Sequence, residues 1–164
     1  MGDAKTKAEV LQANHELLAA VATTDYRAYE KLSAPTLTCF EAETKGHLVE
    51  GGSQTPAHST CTIQIRAFRF HHDSPCRTAS AGLSFHKYFF DAAHATRNDG
   101  KPPPKQNIIA SPHVRLLGAD AAVVSYVRVI QSGGDVATCQ ETRVWERGPD
   151  SHWRNVHFHR SSNL

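Results

Sequence analysis

The last third of the chain consists of strand-like runs separated by short turns, and this pattern restricts the fold more than any other feature. Apolar and polar residues alternate over roughly residues 106–117, 120–131, 136–147 and 152–160. Glycine-rich turns separate the last three runs. Because short turns join neighbouring strands in opposite directions, we predict a four-stranded antiparallel meander.

The first part of the chain is predicted to be helical. Apolar residues recur at the spacing of one helix face over residues ~4–22. Thr24 or Asp25 is a suitable N-cap for a second, shorter helix over Tyr26–Leu32. Pro35 is expected to end that helix, because proline lacks the N–H group that a helix interior requires.

A short strand over Thr36–Glu41 and a helix over Leu83–Ala95 complete the predicted elements. Residues 52–82 lie between them and show no sustained period, apart from an alternating run at residues 63–70. We interpret residues 52–82 as an insertion in a single domain spanning residues 1–164. The predicted class is therefore α+β, with the helices packed on one side of a curved sheet.

Three arginines lie within the apolar strands of the meander: Arg128, Arg143 and Arg160. A charge in such a strand is costly unless it is paired or faces a wet cavity, so the arginines suggest a basic pocket for a carboxylate or phosphate. Strand alternation assigns each arginine to a face with apolar neighbours: Arg128 with Val124, Tyr126 and Ile130, Arg143 with Trp145, and Arg160 with Val156 and Phe158.

A structural role for the arginines remains an alternative, since each could pair with Glu141, with Glu146 or with a neighbouring subunit. Acid–base catalysis in a cavity of such a fold would require a carboxylate beside a histidine. The candidates are Glu141, Asp91 and His86. No nucleophile elbow, glycine-rich dinucleotide loop or P-loop occurs in the sequence, so nucleophilic catalysis and nucleotide binding have no support.

The spacings of the histidines and cysteines do not match a known metal-binding motif. His157 and His159 lie on one strand face but lack a third ligand at fixed spacing. The pair His71–His72 lies between Cys61 and Cys76, which also matches no zinc template. We therefore predict no metal ion and no cofactor.

Composition excludes several classes of partner. A formal net charge of +2 does not produce the strongly basic surface of nucleic-acid-binding proteins. No run approaches the ~20 apolar residues that a membrane-spanning helix requires, and the N-terminus lacks the apolar region of a secretory signal. The four cysteines show no CxxC spacing. A cytoplasmic protein with reduced thiols is expected.

Segments along most of the chain resemble a known family, in the same order. They include Asp25–Tyr29, Leu48–Gly51, Phe85–Phe90, Tyr126–Arg128 and, at the C-terminal end, Glu141–Trp145 with Asn155–Ser161. Together these segments resemble the association, or hub, domain of calcium/calmodulin-dependent protein kinase II. Residues 52–82 have no counterpart in that pattern, and neither a kinase domain nor a calmodulin-binding segment is present. The chain therefore resembles a free-standing hub.

The resemblance implies a cone-shaped, NTF2-like (cystatin-like) fold with a long N-terminal helix against a curved antiparallel sheet. It implies dimers that stack into a two-tiered homo-oligomeric ring. It also implies that Arg128, Arg143, Arg160 and Tyr126 form a deep cavity that accepts a small carboxylate, with His86 at the edge. A kinase would then join the assembly only as a separate chain.

Two functional hypotheses follow from the sequence. The first is an oligomerisation scaffold without enzymatic activity. The second is an NTF2-like protein that binds a small molecule or acts as an isomerase-type enzyme in the same cavity. The two are compatible, because each subunit of a ring can contain its own cavity.

Overall fold

The computed structural model describes residues 2–44, 47–50, 81–95, 105–132 and 134–161. The predicted order of helices and strands is confirmed. In chain order the elements are α1 (Gly2–Thr23), α2 (Tyr26–Lys31), β1 (Ser33–Phe40), a short 3-10 helix (Ala42–Thr44), α3 (Ala81–Ala95), β2 (Lys105–Leu116), β3 (Ala121–Ser132), β4 (Asp135–Arg147) and β5 (Trp153–Arg160).

The predicted insertion at residues 52–82 lies almost entirely outside the described residues, and so does the strand-like run at 63–70. Residues 81 and 82 belong to the first turn of α3, two residues before the predicted start of that helix.

One face of α1 packs on the sheet. Val10, Leu17 and Leu18 are buried, and Leu11 and Val21 are partly buried against the same core. This face follows the 3.6-residue period that predicted the helix. Burial of each large aliphatic side chain contributes about 1.5–3 kcal/mol.

Asp25 is the N-cap of α2, and its carboxylate accepts a hydrogen bond from the backbone N–H of Ala28 at 3.0 Å. Thr24 instead adopts a φ of 57°, in the left-handed region, where the chain turns from α1 to α2. The prediction that Pro35 ends this helix is wrong, because α2 ends at Lys31 and Pro35 lies within β1. Proline is tolerated there because β1 lies at the edge of the sheet that the described strands form.

The five strands form one sheet in the order β1-β5-β4-β3-β2. Strands β2 to β5 form the predicted antiparallel meander. β1 is parallel to β5, so the prediction of a wholly antiparallel sheet is wrong at this edge. A parallel partner is possible because the chain passes through α3 and most of the sheet before it returns beside β1.

A register shift in β5 changes which residues face the core. Trp145 pairs with Asn155 and Val144 pairs with His157, so Val156 is the extra residue of a bulge. Trp153 and Asn155 are therefore buried before the bulge, and Phe158 is buried after it. Asn155, rather than the predicted Val156, faces the core beside Arg143.

The core lies between the three helices and one face of the sheet, which we call the core face. Its members from the sheet include Leu37, Val124, Trp145 and Phe158. None of the described helices has both the length and the apolar character that crossing a bilayer requires.

Candidate functional site

A cavity of about 210 Å³ lies between the helices and the core face. The predicted Arg128, Arg143, Arg160 and His86 all border it. The other lining residues are Val21, Tyr29, Glu41, Phe89, Phe90, Glu141 and Phe158. A larger surface groove, of about 700 Å³, runs beside α1, α2 and β5 and contains none of the predicted site residues.

Strand register places the charged side chains in adjacent rows on the core face. Tyr126, Glu141 and Arg160 are successive partners across β3, β4 and β5. Arg143 lies in the next row, opposite Phe158. Because side chains that share a row on one face are near neighbours, strand register alone brings these groups together.

Glu141 is the centre of a buried charge network. Its Oε1 accepts a hydrogen bond from Arg128 Nη1 at 2.9 Å, and its Oε2 accepts bonds from Arg143 Nη2 at 2.9 Å and from the Tyr126 hydroxyl. Burial raises the pKa of Glu141, but the guanidiniums of Arg143 and Arg128 outweigh burial and lower the pKa to about 2. Glu141 is therefore ionised at neutral pH and compensates two arginines.

The donors of Arg143 are used within the chain. Its Nε donates to the Tyr126 hydroxyl at 3.0 Å, and its Nη1 donates to Asn155 Oδ1 at 2.8 Å. The guanidinium carbon lies 4.4 Å from the centre of the Phe158 ring, which is a cation–π contact. Arg143 therefore connects Glu141, Tyr126, Asn155 and Phe158. Its ion pair with Glu141 is the one that the sequence suggested as a structural role for the arginines.

Tyr126 lies behind the cavity rather than at its surface. It is buried and is not among the residues that line the cavity, and its predicted contact with a ligand stays a prediction. Burial raises the pKa of Tyr126 to about 12, so its hydroxyl remains a donor to Glu141.

Arg160 is the most exposed of the three arginines. Its side chain is 20% exposed, compared with 9% for Arg128 and 3% for Arg143. Arg160 Nη2 donates to Glu41 Oε2 at 2.7 Å. A ligand that enters the cavity would therefore reach Arg160 most easily.

The carboxylate beside a histidine is Glu41, which sequence reasoning missed. Glu41 Oε1 lies 2.7 Å from His86 Nε2. Burial raises the pKa of Glu41, but His86, and then Arg160 and Arg143, lower it below its usual range. The predicted partners do not contact His86, since Glu141 bonds to the arginines and Asp91 pairs with Lys87 at the surface.

Cys39 lies next to this pair but does not form a catalytic triad with it. Its Sγ is 3.6 Å from His86 Nε2 and 3.7 Å from Glu41 Oε1. A triad requires the carboxylate at the other ring nitrogen, whereas here both groups meet Nε2. Burial raises the pKa of the Cys39 thiol to about 12, which disfavours a reactive thiolate.

His157 and His159 share one face of β5, as predicted, and that face is the outer side of the sheet, away from the core. His157 Nδ1 lies 2.7 Å from Thr38 Oγ1. Burial lowers the pKa of His157, with His159 as a second cause. Within the described ranges, neither histidine belongs to a group of three metal-ligating side chains. Cys61, Cys76, His71 and His72 lie outside the described residues.

Comparisons with known proteins agree on one family. Residues 6–59 and 58–163 match the family model of the calcium/calmodulin dependent protein kinase II association domain. The chain is 35% identical over 162 residues to calcium/calmodulin-dependent protein kinase type II subunit delta of Oryctolagus cuniculus. That match covers 96% of this chain and 24% of the relative, so the chain spans about a quarter of the relative's length.

Solved structures give the same result for the fold. The hub homology domain of the kinase from Chlamydamonas reinhardtii is 38% identical, with a TM-score of 0.64 and coverage of 94% of this chain and 95% of that one. An NTF2-like superfamily protein from Salmonella enterica is 16% identical, with a TM-score of 0.64 and coverage of 99% and 94%. This second likeness confirms the NTF2-like fold and nothing further.

Proposed function

Because this chain belongs to the calcium/calmodulin-dependent protein kinase II association-domain family, we propose that it is an oligomerisation scaffold that assembles into a two-tiered ring. The family model matches residues 6–59 and 58–163, and the role proposed for this domain is assembly rather than phosphoryl transfer.

The observation that carries the proposal is a group of apolar residues on the sheet face opposite the core, which we call the outer face. Val123, Val127 and Val129 of β3 lie on it, with Val144 of β4 and Ile108 of β2. None of them belongs to the core that the described residues form, and Ile108 is 48% exposed. An antiparallel sheet with one wet face normally places polar residues there.

A second copy of the chain is the partner that this face fits. Val127 and Val129 are next to Ala110 and Ile108 across β2 and β3, which extends the apolar surface over two strands. A stable interface buries about 1,600 Å² in total, or about 800 Å² from each partner, and a five-stranded sheet supplies an area of that order. Contacts of this kind are isologous, so they pair subunits with two-fold symmetry.

Native mass spectrometry of the full chain tests the scaffold proposal. We expect an assembly of many subunits at micromolar concentration, and a lysine at Val127 should reduce the subunit number because a charge cannot be buried there without a partner. Ala8→Lys places the same charge on the exposed side of α1 and should leave the assembly intact. A wild-type monomer or simple dimer would contradict the proposal.

A kinase chain in trans is part of the same proposal. A relative that contains both a kinase and an association domain would join the ring through the association domain. Mixing this chain with such a kinase should give mixed assemblies in native mass spectrometry, whereas a kinase truncated before its association domain should give none. Separate assemblies in both mixtures would remove this part of the proposal.

Binding of a small carboxylate is a second proposed function, and the position of Arg160 favours it. Arg160 borders the cavity and is the most exposed of its arginines, and guanidinium binds carboxylates bidentately. Glu41 already accepts a bond from Arg160, so a ligand would have to share this arginine. The Glu41–His86 pair also provides the acid–base group that an isomerase-type activity would require.

Thermal unfolding in the presence of acetate, butyrate, succinate or benzoate tests this second function. A ligand at about 100 times its Kd stabilises a protein by about 2.7 kcal/mol, which raises Tm by about 5–10 °C in a chain of this size. Arg160→Gln should abolish the shift, whereas Arg154→Gln, at a surface arginine paired with Asp150, should preserve it. An equal shift with the matching primary amides would show that the carboxylate is not recognised.

A further inference from the structure

We propose that Cys39, Glu41 and His86 form a three-ligand site for a divalent metal ion of zinc type. The three residues come from β1, from the segment directly after it, and from α3. Among the described residues they are the group of metal-ligating side chains whose donor atoms all lie within 4.8 Å of one another. Thiolate, imidazole and carboxylate are the ligands that Zn²⁺ uses in proteins.

Two of the three distances between the donor atoms match one face of a tetrahedron. With metal distances of about 2.3 Å to sulfur and about 2.0–2.1 Å to nitrogen or oxygen, tetrahedral geometry separates sulfur from the other donors by about 3.5 Å. Cys39 Sγ lies 3.6 Å from His86 Nε2 and 3.7 Å from Glu41 Oε1. The nitrogen and oxygen are 2.7 Å apart and must separate by about 0.6 Å.

Surrounding groups hold the ligands in place. Arg160 Nη2 donates to Glu41 Oε2, which leaves Oε1 for the metal and fixes the carboxylate from the second shell. Cys39 is held in β1 by backbone hydrogen bonds to Val49 in both directions, at 2.9 Å each. The ring of His86 packs against Tyr29 and Phe158. Little rearrangement is therefore needed when a metal binds.

Charge and access also suit a zinc-type ion. The ion displaces the proton of the Cys39 thiol, and the resulting thiolate and the Glu41 carboxylate cancel its two charges, so the loaded site has no net charge of its own. A sulfur ligand selects against Mg²⁺ and Ca²⁺, which prefer oxygen. Glu41 and His86 line the cavity, so the ion enters from it and retains a coordination position for water or a small carboxylate.

The metal site is independent of assembly, because its three ligands come from a single chain. Neither ring formation nor carboxylate binding is required for it. A failure of the scaffold proposal would therefore not affect the metal site, and titration with a metal ion measures its binding directly.

The experiment is titration of the metal-free full chain with Co²⁺, followed by competition with Zn²⁺ and a chromogenic chelator. We expect one ion per chain and a near-ultraviolet absorption from charge transfer between the thiolate and cobalt. Loss of a second-shell group typically weakens metal binding by about 10–100-fold, so loss of a ligand should weaken it by at least about 100-fold. Cys39→Ser and His86→Gln should each have this effect.

Two controls separate this site from other thiols. Cys139→Ser changes a second buried free cysteine of the described residues, on the same face of the sheet, and should leave binding unchanged. The double variant Cys61→Ser/Cys76→Ser should also retain one ion per chain. Circular dichroism of each variant verifies that it is folded. If Cys39→Ser does not fold, the test relies on His86→Gln.

Three results would overturn the proposal. The first is the absence of any bound ion in the wild-type chain. The second is one ion per chain without a charge-transfer band, which would exclude a thiolate ligand. The third is full binding by Cys39→Ser and His86→Gln together with loss in Cys61→Ser/Cys76→Ser, which would place the metal elsewhere.

Discussion

Replacement of Glu141 by glutamine tests whether the buried charge network stabilises the fold. Glutamine keeps the shape of the side chain but loses the charge that compensates Arg128 and Arg143. Removal of one partner from a buried ion pair costs about 3–5 kcal/mol, because the remaining charge is left in a poorly solvating environment. Lowering of the Glu141 pKa from about 4.5 to about 2 corresponds to about 3 kcal/mol at neutral pH.

The same network predicts a specific dependence on pH. The pKa of Glu141 is lower in the folded state, so its contribution is complete above the unfolded pKa and is lost as the pH falls through the folded pKa. The free-energy difference between wild type and Glu141→Gln should therefore decrease from about 3 kcal/mol at pH 7 to about 1.5 kcal/mol at pH 3.

Urea unfolding followed by circular dichroism, at one fixed protein concentration, measures this difference. Glu146→Gln is the matched control, since Glu146 is an exposed glutamate on the same strand and its replacement should change stability by less than about 0.5 kcal/mol. A cost below about 1 kcal/mol for Glu141→Gln, or a difference that does not change between pH 7 and pH 3, would refute the reasoning.

Other substitutions test individual contacts by the same unfolding measurement. Arg143→Lys should cost about 2 kcal/mol, because lysine cannot reproduce the bonds to Asn155 and Glu141 together, and a variant as stable as wild type would contradict this account. Asp25→Ala should cost about 1 kcal/mol through loss of the cap on α2, while Asp25→Asn should cost much less. Leu17→Ala should cost about 2–5 kcal/mol because Leu17 is fully buried, and a smaller loss would indicate that the core closes around the gap.

Two carboxylates reduce the positive charge of the cavity. Three arginines by themselves would form a strongly basic pocket. However, the charge of Glu141 offsets part of the positive charge of Arg128 and Arg143, and Glu41 forms an ion pair with Arg160. The cavity therefore combines a buried structural network with a smaller accessible part near Arg160 and His86. Tests of ligand binding should change Arg160, because a change at Arg143 would also disturb the fold.

The helices, the meander and the face of each arginine on β3 and β4 could be predicted from the sequence. The period of apolar residues in a helix or a strand is a local property of the sequence. In this chain each period extends over enough residues to be recognised despite single exceptions. The prediction for β5 failed at Val156, because the bulge that shifts the face depends on how β4 and β5 meet. The parallel pairing of β1 with β5 could not be predicted from local sequence patterns either, because it joins residues 119 positions apart, such as Thr38 and His157.

The sequence alone therefore determined the class of fold, the family and the residue types that could form a site. Only the tertiary structure decided which of these residues meet. Glu41 and His86 are 45 positions apart and lie on elements with no shared period, so no spacing rule could connect them. Glu141 was visible as an acid on an apolar strand, but its role as partner of two arginines follows from strand register, which long-range packing fixes.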